Sequence, residues 1–324
     1  MAYIDIFNGD ADGLCALLQL RRHTPLESSL VTGVKRDIQL LSRVEVAAGD
    51  QITVLDVSLD RNRSALIDVL ERGAQVFYVD HHYAGDVPEH PSLEAIIDTS
   101  AEVCTSALVN RHLQGKFVEW AVVGAFGDNL EETATRLAQP LGLTTEQLDV
   151  ARDLGTYLNY NGYGASLDDL HFRPDELFEL LRPHPSPFSF LDESRHVFDQ
   201  LAAGYCGDMS RATEVLPHFE RDDAAAYILP ESAWARRVSG VFGNQLASQH
   251  SSRAHAILTE CVDQTYVVSV RAPLKEMRGA DELCRRFPTG GGRAAAAGIN
   301  SLPAGRRDEF LEAFLSTFGT ECAS

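Results

Sequence analysis

YIDIFNGDADGLCALLQL, residues 3–20, sets two aspartates, Asp10 and Asp12, one residue apart between two apolar runs. Tyr3–Phe7 reads as a strand and Leu14–Arg22 as a helix, with Gly9 and Gly13 on either side of the aspartates. Two carboxylates at the end of a buried strand repel each other. Either they cap the helix that follows, or they hold something positive.

The same alternation continues outward from this stretch. Ser29–Thr32 reads as a strand, Asp37–Val46 as a helix, Gln51–Val57 as a strand and Arg61–Arg72 as an amphipathic helix. Gln75–Val79 and Glu94–Asp98 read as strands, Thr105–His112 as a helix and Trp120–Phe126 as an apolar strand. Strands interleaved with helices predict an α/β fold with a mainly parallel sheet flanked by helices. Such sheets carry their ligands at the carboxyl ends of the strands.

Residues 130–181 read as helical around a tyrosine- and glycine-rich interruption, YLNYNGYGAS. RPHPSPF (residues 182–188), with three prolines, marks a break, and Asp192–Leu216 reads as a helix. A second alternation starts near Ala224, with strands at Ala226–Leu229, Ala254–Thr259 and Tyr266–Val270. Its helices are expected at Ala233–Ser248, Ala280–Arg286 and Gly305–Phe318, with a glycine-rich loop before the last. The expected organisation is a first domain over residues 1–185, a helical linker over 186–222 and a smaller C-terminal α/β domain over 223–324.

With 324 residues, the chain is long enough for two domains. No apolar run approaches the ~18–20 residues of a membrane span, and the N-terminus lacks the pattern of a secretory signal. The six cysteines are scattered, without a C-x-x-C pair, as expected for unpaired thiols in a reducing cytoplasm. The net charge of −19 is unevenly spread: from Glu231 onward there are 11 basic and 10 acidic residues, before it 17 and 37. So acidic a first part argues against binding long duplex nucleic acid, which needs many phosphate contacts. A short anionic substrate gripped by a few arginines remains compatible.

Four of the predicted strands of the first half end in chemistry. Asp10 and Asp12 follow the first, QITVLDVS ends in Asp56, QVFYVDHH in Asp80, His81 and His82, and WAVVGAFGDN in Asp128 and Asn129. Singly, a cap or a turn accounts for most of them. Together they bring carboxylates and imidazoles from four strands to one rim, and a divalent cation or a pair of them relieves the repulsion. Oxygen and imidazole donors suit Mn²⁺, Mg²⁺ or Fe²⁺. Lys35-Arg36, after the second strand, reads as an ordinary loop.

NGDADG, VLDVS, VDHH and GDN, in that order, resemble the motifs of the DHH phosphoesterase superfamily. GGGRAAAAG (residues 290–298) resembles the GGGH-x-x-AAG signature of the associated DHHA1 substrate-binding domain. The layout is similar to that of the compact members, the oligoribonuclease and pAp-phosphatase type; RecJ-type exonucleases share the motifs but are longer. The resemblance implies two divalent ions, usually Mn²⁺. Asp56 would bridge them, with Asp10 on one ion and Asp12, His81 and Asp128 on the other. It also implies that Asp80 orients His81 from behind, and that His82 faces the phosphate to neutralise charge or protonate the leaving group. Arg271, Gly290, Gly291, Gly292 and Arg293 would bind substrate phosphate. Two positions depart from the pattern. Ile6 stands where many members carry a ligand histidine, with Asn8 as a weaker oxygen donor nearby, and Arg293 replaces the histidine of the glycine-rich loop.

The function expected from this resemblance is a Mn²⁺-dependent hydrolase cleaving phosphodiester or terminal phosphate bonds of short oligonucleotides or phosphorylated nucleotides in the cytoplasm. No membrane partner is expected, and a homodimer is a compatible assembly. Other readings are an exopolyphosphatase or pyrophosphatase, and a nucleotide-binding regulatory module that has lost turnover because Ile6 replaces a ligand.

Overall fold

The computed structural model describes residues 1–319, and the chain divides into two compact units, Met1–Ala202 and Ala203–Ser324. In the first unit, β1 (Tyr3–Phe7), α1 (Ala11–His23), β2 (Ser29–Val31), β3 (Gln51–Leu55), α2 (Leu59–Glu71), β4 (Gln75–Asp80) and β5 (Leu93–Ile97) follow one another. Helices come next: α3 (Thr105–His112), α4 (Val118–Gly127), α5 (Glu131–Ala138), α6 (Thr145–Asn161), α7 (Pro174–Leu181) and α8 (Pro187–Glu193). The division between the units falls inside α9 (Arg195–Glu214).

The first sheet has the order β2-β1-β3-β4-β5 and is parallel throughout. Both faces are covered, as an all-parallel sheet requires. Ile4, Ile6, Ile52, Val54, Val76 and Tyr78 face α2, while Phe7, Leu55 and Val79 join the larger core formed by the helices that follow. The register pairs Phe7 with Leu55 and Leu55 with Val79. Three strands therefore end level, and whatever follows each of them emerges on one rim.

Trp120–Phe126 is not a strand. It belongs to α4, in which every residue from Trp120 to Gly127 is buried. A short run that is apolar on every side suits a buried helix as well as a buried strand. Glycines settle it here by letting helices approach. A Cβ on Gly124 would lie 2.2 Å from Ser106 Oγ, one on Gly127 2.2 Å from Ala11 Cβ, and one on Gly155 2.3 Å from the Val123 carbonyl oxygen. The rim is thus supplied by three strands and one helix end. The helix expected over Asp37–Val46 is only a 3₁₀ turn at Leu41–Arg43.

The second unit contains β6 (Phe219–Glu220), β7 (Ala224–Leu229), α10 (Ala233–Gln249), β8 (Ala254–Glu260), β9 (Thr265–Arg271), α11 (Ala280–Cys284), β10 (Gly290–Gly292), β11 (Ala296–Pro303) and α12 (Arg307–Phe318). Its sheet, β10-β11-β9-β8-β7-β6, is antiparallel except for the β7–β8 pair. Ala256, Leu258, Val268 and Val270 pack against Phe310 and Phe314 of α12. The alanine run after the glycines, a residue type that favours helix, forms the turn of the β10–β11 hairpin and the start of β11. Pairing with β9 overrides the helix preference of alanine. Among the described residues no helix is long and apolar enough to cross a membrane. Cys15, Cys104, Cys206, Cys261 and Cys284 carry free thiols; Cys322 lies outside the described residues.

Candidate metal centre

Asp10 is the N-cap of α1. Its Oδ1 accepts the amide hydrogens of Asp12 (3.1 Å) and Gly13 (3.2 Å), and its Oδ2 lies 2.5 Å from Lys35 Nζ. Asp12, in the first turn of α1, reaches across to the start of α3, where Oδ2 accepts the Thr105 amide at 2.7 Å and Oδ1 the Ser106 amide at 2.8 Å. A carboxylate at a helix N-terminus is favoured by the helix dipole. Asp56 follows β3 directly and has φ 58°, in the left-handed region. That sharp turn aims its side chain back over the rim, where Oδ1 accepts the Thr105 hydroxyl at 3.2 Å.

His81 leaves β4 and sets Nδ1 2.8 Å from the Val103 carbonyl oxygen. A carbonyl only accepts, so Nδ1 carries the hydrogen and Nε2 turns inward. Nε2 lies 3.4 Å from Asp56 Oδ1, 3.9 Å from Asp128 Oδ2 and 4.0 Å from Asp12 Oδ2. Asp128 is the C-cap of α4, and Asn129 after it takes the left-handed conformation (φ 63°) that ends the helix. Four of the predicted ligands therefore converge, from β3, β4, α1 and α4. Asp10, Asp12, Asp56 and His81 are each no more than 5% exposed.

The electrostatics divide this cluster in two. Burial, the largest effect, together with the charges of Asp10 and Asp12 holds the Asp56 carboxyl well above the usual carboxylate range. Burial, with the charges of Asp128 and Asp10, also raises Asp12 against the opposing pull of His81. At Asp10 burial acts in the same upward direction, but Lys35 outweighs it and the carboxyl is lowered. One side of the cluster thus already has its counter-charge. On the other side three carboxylates lie around one imidazole nitrogen, and Asp56, His81 and His82 each bring a ligand atom within 4.8 Å of the others. That donor set fits a hard divalent cation held by Asp12, Asp56, His81 and Asp128.

Asp80 pairs with His82 rather than with the neighbouring His81, the partner the resemblance gave it. His82 Nδ1 is 2.7 Å from Asp80 Oδ1, so Asp80 holds His82, while a backbone carbonyl holds His81. The chain turns at the end of β4, so successive imidazoles face different ways; their rings meet edge to face, 4.5 Å between centres. The His82 side chain is 39% exposed, and its Nδ1 lies 3.8 Å from Asp56 Oδ1. Burial would lower the His82 pKa, but Asp80 overrides this and raises it.

Lys35 is the residue that sequence reasoning passed over as loop. It follows β2, and β2 lies next to β1, which brings it to Asp10. Its Nζ also donates to Asn159 Oδ1 at 2.7 Å. Asn8 Nδ2 donates to the Lys35 carbonyl at 3.3 Å, and its Oδ1 is buried without a hydrogen-bond partner. Ile6 is fully buried in the apolar layer beneath α2.

In the second unit, Arg271 ends β9. Its guanidinium donates to Asn244 Oδ1 (2.6 Å), Ser269 Oγ (2.9 Å) and the carbonyls of Val270 and Gly240 (both 3.1 Å), tying the strand to α10. Gly290, Gly291 and Gly292 form β10, and Arg293 is exposed at the hairpin turn, its amide bonded to the Ala296 carbonyl. Ala296 pairs with Arg271, so the turn and Arg271 share one end of the sheet.

No protein-family profile and no curated protein matches the chain. Solved structures do. RecJ from Thermus thermophilus, in complex with Mn²⁺, superposes with a TM-score of 0.68 at 16% identity over 97% of this chain. This chain has the RecJ fold. It spans about half (51%) of that RecJ, which has also been solved with Mg²⁺. A second exonuclease RecJ bound to manganese matches at TM-score 0.63 and 16% identity, covering 97% of this chain and 89% of its own. The pGpG-specific phosphodiesterase PggH from Vibrio cholerae matches at 0.57 and 17%, covering 98% of both chains. The RecJ-like two-domain α/β architecture is the one the DHH resemblance implied.

Proposed function

We propose that the chain is a divalent-cation-dependent phosphoesterase acting on short oligonucleotides or phosphorylated nucleotides. The observation that carries this reading is the convergence of Asp12, Asp56 and Asp128 on Nε2 of His81, in a fold shared with metal-bound RecJ and with PggH. Asp12, Asp56, His81 and Asp128 would hold the ion. When bound, such an ion lowers the pKa of a coordinated water and polarises a phosphoryl oxygen.

The chain's own residues supply the rest. The backbone amides of α3 and the Val103 carbonyl fix Asp12 and His81, so the ligands meet the ion already oriented. His82, held at Nδ1 by Asp80, carries its second ring nitrogen toward the half-exposed side, where a proton can neutralise a phosphate oxygen or pass to the departing oxygen. Arg293, exposed beside the β10 glycines, offers a planar fork that matches phosphate. The pair of ions that the resemblance implies would also need Asp10, whose Oδ2 is already neutralised by Lys35 and whose Oδ1 accepts two amide hydrogens, whereas each Asp12 oxygen accepts one. The four-ligand ion is therefore the centre of the proposed activity.

The test is hydrolysis of a 5′-labelled trinucleotide, a linear dinucleotide such as pGpG, and polyphosphate, each with Mn²⁺ or Mg²⁺. Release of mononucleotides from the first two supports the reading. Cleavage of polyphosphate alone would redirect it to a polyphosphatase, and no turnover with any of the three would defeat it.

A further inference from the structure

Lys35 occupies the corner where the resemblance puts a first ion, and the surroundings are built to keep it there. Nζ sits 2.5 Å from Asp10 Oδ2 and 2.7 Å from Asn159 Oδ1, and 5.4 Å from the centre of the Tyr163 ring. The Lys35 amide donates to the Gly162 carbonyl at 2.7 Å, and its own carbonyl accepts from Asn8 Nδ2. Two segments, the exit of β1 and the end of α6, thus hold the ammonium that the loop after β2 carries.

The same corner offers a second cation a weak donor set: the neutral amide oxygen of Asn8, buried without a hydrogen-bond partner, and an Asp10 that is already paired. Asp10 Oδ1 already accepts two amide hydrogens. Ile6 lies in the apolar layer, its register partners Val31 and Val54, and cannot lend an imidazole's chemistry. The turn is also closely packed: a Cβ on Gly9 would lie 2.1 Å from the Gly33 carbonyl oxygen and 2.5 Å from Pro174 Cγ, and one on Gly162 3.1 Å from Asp10 Cα.

We propose that Lys35 takes the place of the first cation, and that this chain binds a single divalent ion, at Asp12, Asp56, His81 and Asp128. The inference rests on the phosphoesterase reading above. Lys35 supplies one fixed positive charge that no chelator removes. An ammonium has three hydrogens. Asp10 and Asn159 take two, and the third is available to a phosphate oxygen of the substrate.

The experiment is a count of ions. Metal-free protein is titrated with Mn²⁺, with bound metal counted by elemental analysis after desalting and the bound ion examined by electron paramagnetic resonance. The expected result is one Mn²⁺ per chain with the spectrum of an isolated ion. Two ions per chain with an exchange-coupled spectrum would overturn the inference and leave the phosphoesterase reading standing; no bound ion would sink both. The double variant Lys35→Ala/Ile6→His should gain a second, coupled ion. A folded variant that still binds one removes Lys35 as the group that excludes the second. Should the variant not fold, as judged by circular dichroism, the wild-type count decides alone.

Discussion

Asp80 Oδ1 lies 2.7 Å from His82 Nδ1, whereas His81, between them in the chain, gives its Nδ1 to a carbonyl of the loop before α3. Two adjacent imidazoles are thereby set to different tasks. His81 is fixed by a neutral acceptor with Nε2 among carboxylates, and His82 is held by a carboxylate that favours its protonated form.

Asp80→Asn should therefore lower the pKa of His82, because the hydrogen bond and charge of Asp80 are what raise it against burial. Protonated His82 would then be lost at a lower pH, and the alkaline side of the pH–activity profile should move the same way. Imidazole NMR titration of the metal-free protein reads the shift directly; an unmoved His82 would exclude Asp80 as its partner. Replacing His82 by Gln should cost on the order of 10²–10⁴-fold in kcat if it works as an acid.

At Asp56 the choice of substitution decides what is learned. Its φ of 58° is a conformation that asparagine tolerates and alanine resists, by roughly 1–2 kcal/mol. Asp56→Asn should keep the melting temperature while abolishing tight Mn²⁺ binding. Asp56→Ala should lose stability as well, through the backbone. Calorimetric titration beside thermal unfolding separates the two; retained Mn²⁺ affinity in the folded Asn variant would remove Asp56 from the centre.

Gly124→Ala tests how Asp128 is placed. The new methyl group would meet Ser106 at 2.2 Å and press α4 away from α3 and α1. Overpacking of this kind costs about 1–3 kcal/mol. Because Asp128 caps the same helix, Mn²⁺ affinity should fall together with urea stability. Reduced stability with unchanged affinity would show that the ligand is positioned independently of α4.

His255 gives the second unit an acid sensitivity. It is fully buried in β8, and burial together with the charges of Arg253 and His250 pushes its pKa down to about 4. The unfolded chain, with an ordinary imidazole near 6.5, binds the proton first as pH falls. The contribution is complete above about pH 6.5, declines as pH drops toward 4 and is level below that; over this window it amounts to about 3 kcal/mol. Urea unfolding at about pH 7 and about pH 4.5, on either side of most of that window, should show a smaller pH effect in His255→Leu than in the wild type. Equal losses in both would assign the acid sensitivity elsewhere.

Arg293→Ala should raise KM for a phosphorylated substrate more than it lowers kcat, as expected when an exposed arginine binds ground and transition states alike. Steady-state kinetics with a dinucleotide reads the split, and an unchanged KM would place Arg293 outside the substrate site.

Much of the first unit was legible because parallel strands announce themselves as short apolar runs, and because polar residues at their ends have few structural reasons to be there. Asp12, Asp56 and His81 could be read in that way. Asp128 was placed on the rim for a partly mistaken reason: WAVVGAFG is buried on all sides, which hides whether its period is that of a strand or a helix. The alanines after Gly292 carried a local preference that the neighbouring strand overrides. Lys35 stayed hidden because 25 residues separate it from Asp10, and only the order of β2 and β1 in the sheet makes them neighbours. Sheet order is a tertiary fact, and one sequence gives no local sign of it. The partner of Asp80 turned on side-chain direction after a strand end, where His81 and His82 are equal candidates by spacing alone.

The path of the chain through α4 bears on any attempt to transplant this centre. Three of the proposed ligands come from the βαβ part and could travel with the sheet, but the fourth hangs from a helix that begins 21 residues after β5 ends and is seated by glycines against α1, α3 and α6. A minimal scaffold that stopped at β5 would carry Asp12, Asp56 and His81, yet it would lack both Asp128 and the α3 amides that anchor Asp12. The smallest portable unit is therefore not a motif but the sheet together with its helical cover through residue 161, the end of α6.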